Sequence, residues 1–374
     1  MIIKTTAKSI LRKHKKIDSW FLSSYAINLY RGCTHNCVYC DGRNEKYGVD
    51  GEFGRDITVK ENAVELLEKE CDPARKRKPF SNGLMSICGG VSDSYQPFER
   101  TENLCRRVLE ILYRYGHPVH MLTKSTLIER DIDLLKKINQ QNCAVVSFSF
   151  SSVDDEVSRL LEPGASAPSQ RLQTIKKCKD EGINCGVYLM PVVPFITDSA
   201  EAIEVSVSKA VEAGAEFILF SGMTLKAGRQ KDYFMDFIRR HFPDCVDKYN
   251  SLYSDDAPWG APKMEYIHKI EKIFCEATAR YRIPKRMPSR IFKSLVSPTE
   301  LVLLILEQLD YLVTLQGKKS PYGFAAYALS KTGRPVETLR QDELLKVKGI
   351  GPFTAQIIQE IIETGRCGYY EKIL

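Results

Sequence analysis

Cys33, Cys37 and Cys40 stand in the run Tyr30-Arg31-Gly32-Cys33-Thr34-His35-Asn36-Cys37-Val38-Tyr39-Cys40-Asp41, with three and then two residues between them. Thiolates are the usual ligands of iron–sulfur clusters, and three so close can hold three irons of a 4Fe–4S cluster. No fourth cysteine follows at ligand spacing, so one iron would stay open to an exogenous ligand. Zinc is the competing reading, but structural zinc takes four ligands, commonly in two pairs. His35 is the nearby candidate, and it sits inside the short loop rather than at paired spacing. Thiols merely buried, or bridged as disulfides, are the remaining alternative.

Elements must hold such a loop in place. From Ala26 to about Met223, short apolar or β-branched runs alternate with longer amphipathic segments. The runs are Ala26–Tyr30, Leu84–Cys88, Val119–Thr123, Ala144–Phe150, Cys185–Val192 and Phe217–Ser221. Helical patterns between them include Phe98–Tyr115, Ile128–Asn139, Pro168–Glu181 and Ser199–Ala213. Pro168 suits a first helical position, and Gly182 and Gly214 suit helix ends. Strand–helix units repeated in this way predict an α/β chain with a parallel sheet and helices outside. In such barrels chemistry collects where strands end. The unusual residues fall there: the cysteine loop, Cys88-Gly89-Gly90-Val91-Ser92-Asp93, Thr123-Lys124-Ser125, Ser147-Phe148-Ser149 and Met190-Pro191. Lys124 is a cation suited to charge-assisted hydrogen bonds with a carboxylate.

After Trp259-Gly260-Ala261-Pro262 a helical segment, Lys263–Arg280, leads to the Pro- and Arg-rich stretch Ile283–Arg290, read as a linker lying against the barrel. An all-helical pattern follows. Leu344-Leu345-Lys346-Val347-Lys348-Gly349-Ile350-Gly351-Pro352-Phe353-Thr354-Ala355 resembles a helix–hairpin–helix motif. Gly349 and Gly351 permit its tight turn, Ile350 plugs the gap between helices, and Ala355 allows a close crossing. Exposed amides at the start of the second helix suit a DNA phosphate, with Lys346 and Lys348 beside them.

The 374 residues suffice for a large core plus a small second domain. No apolar run approaches the ~20 residues of a membrane span. The N-terminus shows no apolar signal region, and the twelve cysteines form no disulfide framework, so a reducing cytoplasm is expected and no membrane partner. A net charge of +7 is mild. It is clustered, however, in Arg12-Lys13-His14-Lys15-Lys16 and Arg75-Lys76-Arg77-Lys78. Each run alone reads as a solvated face; two of them beside a hairpin motif favour nucleic acid.

The cysteine spacing, with Asn28-Leu29-Tyr30-Arg31-Gly32 before it and Asp41-Gly42-Arg43 after it, resembles the radical S-adenosylmethionine (SAM) superfamily and its spore photoproduct lyase family. Ser92-Asp93-Ser94-Tyr95-Gln96-Pro97-Phe98-Glu99 and Leu161-Glu162-Pro163-Gly164-Ala165-Ser166-Ala167-Pro168-Ser169-Gln170-Arg171-Leu172 are similar to further stretches of that family. The resemblance implies a partial barrel of six βα units. It also implies a cluster on Cys33, Cys37 and Cys40 whose open iron is chelated by SAM, yielding a 5′-deoxyadenosyl radical on reductive cleavage. Lys124 and Ser149 are the implied SAM contacts; Tyr39, between two ligands, is read as packing on the cluster or the adenine, with core filling the alternative. In photoproduct lyases a cysteine ending the second strand returns hydrogen to the repaired thymine, and Cys88 lies in a comparable place. There is a departure: Gly89 and Gly90 intervene before Val91-Ser92-Asp93, whereas the family lyase has its cysteine almost directly before Thr-Ser-Asp. The C-terminal run from Gly323 to Arg366 resembles the small N-terminal domain of family X DNA polymerases, which grips DNA backbone. No polymerase palm follows.

The resulting expectation is a basic extension over 1–25, a radical SAM barrel over 26–292 and a DNA-binding domain over 293–374. The expected activity is repair of a pyrimidine lesion in DNA, with an electron donor such as flavodoxin or ferredoxin as partner. The alternatives are radical modification, such as methylation, of intact tRNA or DNA, and a non-catalytic DNA-binding iron–sulfur protein.

Overall fold

A computed structural model of the chain describes residues 1–49, 51–76, 78–87 and 91–374. Cys88, Gly89 and Gly90, singled out above, therefore lie outside the described residues, as does Arg77 of the second basic run.

Ala144–Phe150 shows why the central sheet forms. Val146, Phe148 and Phe150 join the core beneath the outer helices, whereas Ser147 and Ser149 occupy the alternate positions. Alternation at period two puts those serines on the opposite, inner face. Six parallel strands share this logic: Ser23–Ile27, Leu84–Ile87, Val119–Thr123, Ala144–Phe150, Asn184–Val192 and Ile218–Gly222. They lie side by side in chain order, so each crossover returns to the adjacent strand. Leu11–Lys13 pairs antiparallel with the first of them at the sheet's edge.

The first strand lies upstream of its expected place. It spans Ser23–Ile27, and Tyr30–Arg31 pairs instead with Ile57–Lys60 in a second, three-stranded sheet completed by Ile2–Thr5. Largely apolar character runs from Ala26 through Tyr30, so periodicity gave no cue that the chain leaves one sheet for another. Residues 1–25, read as an extension, thus supply strands to both sheets. The expected helix Phe98–Tyr115 is two pieces, Glu99–Glu102 and Leu104–Arg114, parted by Asn103 in a left-handed conformation (φ 52°). Asparagine is one of the few non-glycine residues that tolerates this.

The C-terminal helices include Pro298–Leu315, Tyr322–Ser330 and Pro352–Thr364. The first begins at a capping box, in which Ser297 and Glu300 satisfy each other's backbone amides. Its residues Val302, Leu304, Ile305 and Leu309 share one core with Leu84, Val145, Tyr188 and Leu219 of the barrel strands. The stretch before them is buried rather than merely apposed: Arg286 lies between the Trp20 and Tyr311 rings, at 4.0 and 3.4 Å from their centroids. Among the described residues no helix is long and apolar enough to cross a membrane.

Candidate active site

The cysteine loop follows the first parallel strand and is clamped from two directions. From the loop after the second strand, the Gln96 side chain accepts from the Thr34 amide (2.7 Å) and donates to the Gly32 carbonyl (3.2 Å), flanking Cys33. Ser92 donates to the same carbonyl at 2.8 Å. From the segment after the fourth strand, the Leu161 carbonyl accepts from the Val38 amide and the Gly164 amide donates to the His35 carbonyl, both at 2.9 Å. A Cβ at Gly164 would sit 2.2 Å from the Thr34 carbonyl oxygen, so this approach requires glycine.

Cys33, Cys37 and Cys40 line one cavity of about 130 Å³ with His35, Asp93, Thr123, Lys124 and Ser149. A second cavity of about 330 Å³ shares Cys37, Cys40, Lys124 and Ser149 and reaches Tyr39, Asp41, Met190, Ser221 and Thr224. Both open at the C-terminal ends of the parallel strands, where a βα barrel gathers its chemistry. Burial pushes the Cys37 thiol up to about 12 and also raises Cys33 and Cys40. Such thiols keep their protons at neutral pH until a bound cation displaces them. Among the described residues no three His, Cys, Asp or Glu side chains converge on a single ion. A cluster asks for a different arrangement, one iron per thiolate around a cavity, and three thiols facing one cavity, Cys33 and Cys37 buried and Cys40 half-buried, fit it.

Lys124, at the end of the third strand, donates to Ser149 Oγ at 2.7 Å and lies 3.2 Å from Glu162. Glu162 is buried. It also accepts from Tyr39, Arg171, Ser151 and Ser158. Burial pushes its carboxyl up, but Arg171 and Lys124 more than reverse this and hold it below the usual carboxylate range. Glu162 is thus shared by two cations, and Lys124 lines the cavity together with a second carboxylate, Asp93. Ser149 in turn donates to the Met190 carbonyl at 3.0 Å.

Sequence reasoning placed Tyr39, Lys124 and Ser149 at this site, and all three line it. It missed the groups beneath them. Asp93 accepts from Thr123 and the Lys124 amide at 2.7 and 2.8 Å, fixing the third strand end. His35 Nδ1 lies 3.4 Å from Asp93 yet makes no hydrogen bond among the described residues. Burial, opposed by Asp93, lowers the His35 pKa. Asp41 is held by Thr224, Lys226 and Gln230. Asp93 and Glu162 stood inside the quoted motifs, and that was the available signal.

At the far end, Ile350 is buried beneath the hairpin turn, whereas Lys346, Lys348, Gly349 and Gly351 are exposed. Gly349 has φ 88°, a left-handed conformation suited to glycine. Gly351 caps the Pro352–Thr364 helix.

Known proteins are similar to this chain in both parts. Residues 27–205 match the model of the radical SAM superfamily, and residues 297–367 match a helix–hairpin–helix domain. An uncharacterized protein of Mycobacterium tuberculosis is 31% identical over 263 residues, covering 69% of this chain and 75% of its own. One from Methanocaldococcus jannaschii is 26% identical over 226 residues, covering 60% and 79%. The fold resembles that of spore photoproduct lyase complexed with dinucleoside spore photoproduct (TM-score 0.55, 16% identity, 75% of this chain and 79% of that one). A lyase variant with bound AdoMet and the same dinucleoside gives a TM-score of 0.52 at 16% identity over the same shares. With three thiols facing one cavity at the strand ends and a family match running through that loop, the chain belongs to the radical SAM superfamily, whose cofactors are a 4Fe–4S cluster and SAM.

Proposed function

We propose that this radical SAM enzyme acts on DNA and repairs a pyrimidine photolesion in the manner of a lyase. The observation that carries the reading is the pairing, in one chain, of the thiol-lined cavity with a helix–hairpin–helix unit on a shared core. The likeness to spore photoproduct lyase is one of fold, and it supports the choice of lesion.

In this reading Cys33, Cys37 and Cys40 hold the cluster. The cluster and SAM together supply one-electron chemistry that ends in hydrogen abstraction by a carbon radical. The chain's own residues do the rest. Lys124, which lines the cavity, binds a carboxylate; Ser149 fixes the lysine; Tyr39 walls the larger cavity. Cys88, next in the chain after the second strand, is the proposed hydrogen donor to the product radical. The hairpin's amides, Lys346 and Lys348 grip phosphates and so position DNA without reading its sequence. The lesion must leave the base stack to reach the cavity, which costs least where pairing is already damaged. An external reductant such as flavodoxin or ferredoxin completes the cycle.

The test is anaerobic reconstitution with reductant, SAM and either ultraviolet-irradiated or undamaged DNA. Mass spectrometry follows 5′-deoxyadenosine and lesion dinucleotides. Lesion loss with recovered thymines, absent in Cys37→Ala, supports the lyase. SAM cleavage with every lesion intact refutes it and leaves modification of intact nucleic acid; uncleaved SAM leaves a non-catalytic cluster.

A further inference from the structure

Among the described residues, six that are not glycine adopt a left-handed backbone: Leu22, Asn36, Asn103, Phe195, Trp259 and Arg282. The conformation is costly for a bulky side chain, so each case asks for a reason. Asparagine tolerates it, and Arg282 ends a helix. Leu22 is buried, and Phe195 packs edge-on against Tyr249. None of these reasons covers Trp259, whose indole is 76% exposed.

The turn that carries Trp259 is fixed to the cavity rim. It spans Pro258–Gly260, with Trp259 at φ 60° and ψ 13°. The Gly260 carbonyl accepts from the Leu225 amide at 2.7 Å, and a Cβ at Gly260 would come within 2.5 Å of the Leu225 carbonyl. Ser221, Met223 and Thr224, just before Leu225, line the larger cavity. From the other side, Lys46 follows the cysteine loop and holds its ammonium 5.2 Å from the indole and 4.8 Å from the Tyr47 ring. Lys46 makes no ion pair among the described residues. Of the nearby acids, Glu45 is matched by Arg229 at 3.3 Å and Asp255 by Lys231 at 2.5 Å, which leaves Asp256.

An indole standing clear of a fixed turn has the form of a wedge. Apolar side chains that enter a base step part the stacked bases, and an aromatic ring stacks on any base. A protein partner would instead ask for a contiguous apolar face. The proposed reaction makes room for a wedge, because the lesion must leave the stack to reach the cavity. We infer that Trp259 enters the stack that the lesion vacates and holds the duplex open at the cavity mouth, with Lys46 on an adjacent phosphate. The inference rests on the DNA reading above and deepens it by naming the residue that keeps the base out.

The test uses the full-length, cluster-loaded protein and two duplexes of one sequence, one fully paired and one with a central 2-aminopurine mispaired with adenine. Fluorescence anisotropy of an end label reads binding, and the 2-aminopurine signal, which rises when that base leaves the stack, reads extrusion. Trp259→Asn removes the ring but suits the left-handed turn; Trp259→Phe keeps a ring; thermal melting checks that both fold. Wild type should raise the 2-aminopurine signal on binding. Trp259→Asn should lose most of that rise, weaken the mispaired duplex about tenfold and change the paired duplex by less than about threefold, and Trp259→Phe should restore much of both losses. If the wild type binds but raises no signal, or if folded Trp259→Asn gives the full rise, the wedge is refuted while DNA binding stands. A full rise with slower reduction of the cluster by flavodoxin would make the rim a protein-docking site instead, and would refute the wedge too. If the wild type binds neither duplex, the DNA reading itself falls.

Discussion

Glu162 holds together more of the site than any residue chosen from spacing alone. Its two oxygens join Lys124, Tyr39, Ser151, Ser158 and Arg171, all from within a buried position. Removing one member of a buried ion pair costs roughly 3–5 kcal/mol, because the partners remain buried and uncompensated. Glu162→Gln should therefore lose stability of that order in urea unfolding; unchanged stability would mean that water compensates the cations. Lys124→Met tests the other side. If the Lys124 ammonium binds a carboxylate, SAM affinity in equilibrium dialysis should fall about tenfold or more, with iron content unchanged. A parallel loss of iron would instead make Lys124 a support for the cysteine loop.

Packing between elements sets how firmly those side chains are held. The loop carrying Glu162 touches the cysteine loop at Gly164, where a methyl group would strike the Thr34 carbonyl oxygen. Gly164→Ala should leave the barrel folded by circular dichroism yet lower the iron retained after reconstitution; full iron loading would show that the two loops separate freely. His120, on the third strand, couples three segments: Nδ1 faces the Phe21 carbonyl at 3.0 Å and Nε2 faces Ser147 Oγ at 2.9 Å. A carbonyl only accepts, so Nδ1 donates; in the neutral ring Nε2 then accepts from the serine hydroxyl. Burial lowers its pKa to about 4, only partly opposed by the Phe21 carbonyl and Asp18. The unfolded chain binds a proton at an ordinary pKa of 6.5 that the folded chain refuses. Stability contributed by this residue is thus complete above pH 6.5 and declines as pH falls toward 4, by up to about 3 kcal/mol. His120→Gln should flatten that part of the thermal-melting profile, and an unchanged slope would assign it to another group.

Across the whole molecule, the C-terminal helices and the inner barrel face share one core, and Arg286 between Trp20 and Tyr311 seals the junction. A boundary packed in this way does not yield separately melting halves. Calorimetry should record a single cooperative transition. Ile305 is fully buried in the shared core, so Ile305→Ala should destabilise that one transition by roughly 2–5 kcal/mol. Two resolved transitions, only one of them moved, would make the helical unit independent. Under the proposed function, a unit that shares its core with the barrel would carry the orientation of gripped DNA to the cavity.

Much of this was legible in the chain. Five of the six parallel strands lie close to where the apolar runs put them, because strands covered on both faces are largely apolar even where a serine or histidine points inward. The cysteine spacing led to the cavity-lining thiols, since a short loop cannot scatter three side chains far apart. Lys124 and Ser149 stood at strand ends, which any βα repeat brings to one rim. What the sequence could not show was partnership across distance. Nothing in Glu162 or Arg171 distinguishes them locally from solvent-exposed charges, and only the closed barrel buries them against Tyr39 and Lys124. The transfer of Tyr30 to a second sheet and the ring of Phe324 over Gly349 are likewise products of tertiary packing. Local composition specifies which elements form and which face is apolar; which charges meet in the interior is decided when those faces close.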